Sequence, residues 1–106
     1  MLVTLVEVVE IKNSYSQQKA ERTHGAAYGL REVTVNPDHV VCLREDTVMV
    51  RRLEEGRLPS DLDNRQKFTK VYLDRGHAGI DLTVVGSLTQ TKESLGIMRD
   101  KAVLHG

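Results

Sequence analysis

Apolar and polar residues alternate in short runs along much of this chain. The clearest run is Lys70–Gly86, KVYLDRGHAGIDLTVVG. Val71 and Leu73 point to one side, and Lys70, Tyr72 and Asp74 to the other. Further on, Ile80, Leu82 and Val84 share a side against Asp81 and Thr83. Period-two patterning of β-branched and aromatic residues marks half-buried strands. Between the runs, Arg75-Gly76-His77-Ala78-Gly79 supplies two glycines to a turn longer than the tightest hairpin loop. The pattern predicts a β-hairpin ended by Gly86, with the rest of the chain covering or extending it.

The same test applied from the N-terminus predicts a first strand over residues 2–11. Val3, Leu5, Val9 and Ile11 lie on one side and Leu2, Val6 and Val8 on the other. Apolar residues on both sides suit a central strand, or one whose second face another subunit covers. Residues 12–29 lose all periodicity and read as a long polar loop. Its Tyr15, Arg22, His24 and Tyr28 could touch a ligand or partner, although a solvated connection is the plainer reading. A second strand spans 30–36, with Val33 and Val35 inward, and ends in the turn Asn36-Pro37-Asp38. A third spans 39–45, where Val41 and Leu43 alternate against Val40 and Cys42.

Asp46-Thr47 can then N-cap a short helix through Glu55, with Met49 and Leu53 on one face and Gly56 as its stop. Val48 and Val50 leave a strand through 47–53 as the alternative. Residues 57–66 form a polar loop containing Pro59. Past the hairpin, Ser87-Leu88-Thr89-Gln90 has capping-box spacing, and Leu88 and Leu95 anchor a helix of about two turns closed by Gly96. Residues 97–106 read as a docking tail or a frayed end.

These elements predict a single, mainly-β domain over residues 1–106, with about five antiparallel strands in a twisted sheet, roll or small barrel and one or two short helices. The expected strands are 2–11, 30–36, 39–45, 68–74 and 80–86, with neighbours in sequence mostly pairing.

The succession Val35-Asn36-Pro37-Asp38-His39-Val40-Val41, then Lys70-Val71-Tyr72-Leu73 with a glycine turn, then Leu82-Thr83-Val84-Val85 and Ser94-Leu95, resembles the short FlbD-type proteins of bacterial flagellar operons. The resemblance covers residues 30–95 and implies a β-rich chain with a turn between strands and a helical end. Segment 46–66 and the first strand have no counterpart in it, so no flagellar function is carried over. Small bacterial and phage proteins share the same pattern.

Composition narrows the picture. With 106 residues, one Phe, three Tyr and no Trp, the chain is one domain with an aliphatic core. Lys plus Arg and Asp plus Glu are 15 each, which argues against a general polyanion binder and gives no electrostatic protection against self-association. Cys42 is the only cysteine, so no intrachain disulfide or cysteine-built zinc site can form. Its strand position suggests a buried, inert thiol. The N-terminal MLVTLVEVVEI carries Glu7 and Glu10, lacks a basic start and is too short to span a bilayer, which predicts a soluble cytoplasmic protein.

Candidate chemistry is sparse. His39 beside Asp38, and His77 near Asp74 and Asp81, are the best metal or acid–base groups, but no metal-ligand spacing appears. No catalytic, cofactor or metal site is assigned. An enzyme would need His39 or His77 to converge with carboxylates in a pocket. Arg51, Arg52, Arg65, Lys67 and Lys70 could contact a phosphate backbone if folding gathered them, although interleaved acids favour a mixed solvated face. Phe68, Tyr72 and Val85 give the hairpin a second apolar face. Few helical residues are available to cover it, which makes it the expected contact surface of a homo-oligomer. The reading is a non-enzymatic binding or assembly module without a cofactor. The alternative is a small nucleic-acid-binding regulator using the basic segment.

Overall fold

The computed structural model describes residues 1–11, 27–75 and 78–97. Its elements are β1 (Val3–Glu10), β2 (Tyr28–Val35), a 3-10 turn (Pro37–His39), β3 (Val40–Glu45), α1 (Thr47–Glu54), β4 (Phe68–Arg75), β5 (Ala78–Val85) and α2 (Leu88–Leu95). The five strands form one open antiparallel sheet in the order β2-β1-β5-β4-β3. The mainly-β class predicted by the alternation is therefore the observed one.

Neighbours in sequence mostly pair, as expected: β1 with β2, β3 with β4 and β4 with β5, the exception being β2 and β3. β2 and β3 are the two sheet edges, and β1 pairs with β5 through Glu7 and Val84. The cause lies at Asn36-Pro37-Asp38. The Asn36 side chain accepts the Asp38 amide at 2.9 Å, and the His39 amide bonds the Asn36 carbonyl at 2.9 Å. Pro37 sits at the start of the turn, where its missing N–H costs nothing. The chain coils through this turn instead of folding back on itself. β1, apolar on both sides, takes an interior place in the sheet.

One face carries Leu5, Val35, Val71 and Val84, packed with Leu95 of α2 and flanked by Val33, Val40, Leu43, Leu73 and Leu82. All five strands contribute to this cluster. The link between Val35 and Val40 reaches about 18 Å at full extension, whereas the edges of a flat five-stranded sheet lie about 19 Å apart. The sheet therefore curls around this cluster, and its edges stay unpaired.

The opposite face carries Val8, Phe68 and Val85, and is covered by Met49 and Leu53 of α1 together with Leu58 and Leu62 of the following loop. This corrects one expectation: Phe68 is fully buried, so it presents no surface to a second chain. The cover comes from within the chain, and α1 is held in place by Asp46. The Asp46 amide bonds the Phe68 carbonyl at 2.9 Å, continuing the β3–β4 ladder. One carboxylate oxygen caps α1 at the Met49 amide (3.0 Å), and the other accepts the Thr83 hydroxyl (2.8 Å). That cap decides the segment for helix over strand. α2 has the reciprocal Ser87–Gln90 capping box and ends at Gly96 with φ 76°. Among the described residues, no helix is long and apolar enough to cross a membrane.

Candidate functional site

Two clefts meet at the hairpin end of the sheet. The first, of about 540 Å³, is walled by Val33, Val35, Leu73, Ile80 and Leu82, with Asn36, His39 and Asp74 also lining it. The second, of about 560 Å³, is lined by Val41, Tyr72, Leu73, Asp74, Gly79, Ile80 and Asp81. Leu73, Asp74 and Ile80 belong to both, so one apolar region wraps around the hairpin.

Its shape follows from local backbone. The β3–β4 register shifts between Val40 and Cys42, a bulge that leaves Val41 66% exposed. Ile80 is 37% exposed. Gly79 stands opposite Asp74 and offers no side chain. Among the described residues, a Cβ placed there would meet only the Leu73 carbonyl oxygen, at 3.7 Å.

Of the three residues expected at an interface, Tyr72 is half-buried and lines the second cleft, while Phe68 and Val85 belong to the core beneath α1. His39 and Asp74 do come to one cleft, and Asp81 lies in the adjoining one. Asp38 is exposed. His77, Tyr15, Arg22 and His24 lie outside the described residues. Among the described residues, no three His, Cys, Asp or Glu side chains are grouped to hold a metal. Cys42 is exposed, not buried, because β3 is an edge strand.

Tyr28 belongs to β2 and not to the loop. The strand starts before residue 30 because the Ile11 amide bonds the Ala27 carbonyl (3.0 Å) and the Tyr28 amide bonds the Arg57 carbonyl (2.9 Å). The Tyr28 ring lies 5.9 Å from the Arg52 guanidinium and 5.6 Å from that of Arg57.

The basic segment is dispersed. Arg51, Arg65 and Lys67 are exposed, with Glu54, Glu55, Asp61 and Asp63 exposed among them. Arg65 bonds Asp63, and its backbone amide followed by its side chain holds the Asp63 carboxyl below its usual value. Arg52 faces Tyr28. Lys70 stands apart from these. It pairs across strands with Arg44, two residues along β4 from Tyr72 and on the same face.

Val41, Gly79 and Ile80 were not singled out as a site by their pattern. The available signal was the doublet Val40-Val41, which breaks strict alternation where the bulge occurs. Compared with protein-family profiles, with curated proteins and with solved structures, the chain matches none of them.

Proposed function

We propose that this chain is a non-enzymatic binding or assembly module that works as a homo-oligomer and makes its contact at the hairpin end of the sheet. The observation that carries the reading is the exposure of Val41 (66%) and Ile80 (37%) at one end of the sheet, on clefts that share Leu73, Asp74 and Ile80. Clustered apolar exposure next to a cleft is what a contact surface requires. Balanced charge, 15 cations against 15 anions, leaves little long-range repulsion between copies.

Extension of the sheet from its edges is the less suitable route. β2 exposes Arg31 and Glu32 at its middle, and β3 carries a bulge, both features that discourage strand addition. Side-chain packing at the hairpin end is the mode this surface favours. Sedimentation equilibrium from low to high micromolar concentration tests the reading. The expected result is a mass that rises with concentration above that of one chain. A single-chain mass throughout that range overturns it.

A further inference from the structure

We propose that β3 and β4 bind single-stranded nucleic acid on the Phe68 side of the sheet, with Arg44 and Lys70 on the phosphate backbone and Tyr72 under a base. The proposal does not depend on the chain's oligomeric state. The observation that carries it is a pair of like charges. Arg44 stands directly opposite Lys70 in the β3–β4 ladder. Like charges so placed destabilise a sheet. Among the described residues, Arg31, Arg57 and Arg65 each have a carboxylate partner, whereas Arg44 and Lys70 have none. On its other side Lys70 faces Thr83, whose hydroxyl is donated to Asp46. The Asp46 carboxylate forms no ion pair with Lys70, and both its oxygens are already bonded. Arg44 is exposed and Lys70 half-buried, so the pair stays open to solvent. A bound anion relieves the repulsion that the fold leaves in place.

The neighbouring side chain narrows the choice of anion. Tyr72 follows Lys70 by two residues on the same face of β4, about 7 Å along the strand. α1 covers this face at Phe68 and Val85 and leaves Tyr72 half-buried. An aromatic ring on an open sheet is a stacking surface for an unpaired base, and cations beside it hold the backbone. A duplex keeps its bases stacked inside and uses the cations alone. An acidic peptide likewise needs only the cations. A single strand engages the cations and the ring together. Asp81, opposite Tyr72, and Asp74, two residues beyond it, confine the phosphate contact to the Arg44–Lys70 side. The contact is therefore small, in keeping with a chain of balanced charge.

The test is fluorescence anisotropy of a labelled single strand of about twelve nucleotides, titrated with the full chain at several salt concentrations. Two cations on the backbone predict a slope of about −1.4 in log K against log salt. Lys70→Gln should weaken binding about fivefold at low salt and reduce the slope to about −0.7. Because it removes a like-charge pair, its thermal melt should match or exceed wild type, which separates lost binding from lost folding. Tyr72→Leu should weaken binding about fivefold or more with the slope unchanged, and Tyr72→Phe, which keeps the ring, should bind within about twofold of wild type. No anisotropy change at low salt up to high micromolar protein overturns the proposal. So do Lys70→Gln and Tyr72→Leu chains that both bind within about twofold of wild type, or a duplex of the same sequence bound as tightly as the single strand. Displacement of the strand by poly-glutamate at equal charge concentration also overturns it, in favour of an acidic protein partner. The oligomer reading is tested by sedimentation and stands or falls apart from these results.

Discussion

Replacing Asp46 by Ala should cost more stability than any other single carboxylate in the described residues, because its two oxygens join separate elements. Asp46 is 7% exposed and not bonded to a cation. One oxygen caps α1 at Met49, and the other receives the Thr83 hydroxyl from β5. Loss of an N-cap costs about 1 kcal/mol. Loss of a buried hydrogen bond to a charged acceptor costs about 1.5 kcal/mol or more. The sum, about 2–3 kcal/mol, corresponds to a fall in Tm of about 10 °C or more for a domain of this size. Urea denaturation at fixed protein concentration measures it, with an unchanged slope showing that the denatured state is the same. Thr83→Val should be non-additive with Asp46→Ala by about 1 kcal/mol, since the second change removes a partner already lost. Asp46→Asn, which keeps one acceptor oxygen, should fall between. An Asp46→Ala loss under about 0.5 kcal/mol, or strict additivity with Thr83→Val, would refute the two-element role.

Other expectations are checked in the same way. Leu53→Ala opens a cavity beside Phe68 and should cost about 2–4 kcal/mol, read by urea denaturation, with increased dye binding as the Phe68 face is uncovered. Gly86→Ala should cost about 1 kcal/mol or more in the same assay, because Gly86 has φ 134°, a conformation that a residue with a Cβ adopts only under strain. Asp63 titrates below its ordinary value of 3.8 because Arg65 bonds the charged form. Its contribution is therefore present above that value and fades as pH falls through the lower folded value. Arg65→Ala keeps the backbone amide, the larger cause, and removes the side-chain bond, so it should move the Asp63 midpoint only part of the way up by NMR titration, and an unmoved midpoint would contradict the side-chain contribution.

The elements of this fold were legible because their signals are local. Alternation placed the strands, Asp46 and the Ser87–Gln90 box placed the helix starts, and Gly96 placed the end of α2. Alternation does not say which strand a strand pairs with. The two-sided apolar pattern of β1 left open an interior place or a face covered by another subunit; the strand lies inside the sheet, through a contact between Glu7 and Val84 that no neighbouring residues announce. The same limit explains the Phe68 face. Its cover comes from Met49 and Leu53 on a two-turn helix, and from Leu58 and Leu62, single leucines within an otherwise polar loop with no period to betray them.

Closing that face changes where an apolar surface remains. With Phe68 and Val85 covered at the α1 end, Val41 and Ile80 are the exposed aliphatic residues that line the cleft at the opposite end of the hairpin, and Leu2, Val6, Ile11 and Val48 are exposed elsewhere. Two departures from regular strand chemistry shape the cleft: a bulge in β3 that pushes Val41 out, and, across β4, a glycine in β5 that leaves no side chain opposite Asp74. Neither departure improves the sheet. A bulge forfeits ladder pairing, and a strand glycine adds backbone entropy to the unfolded chain without contributing packing. They lie on either side of β4 and line one cleft with Tyr72, so filling Gly79 should leave the fold intact while narrowing that cleft.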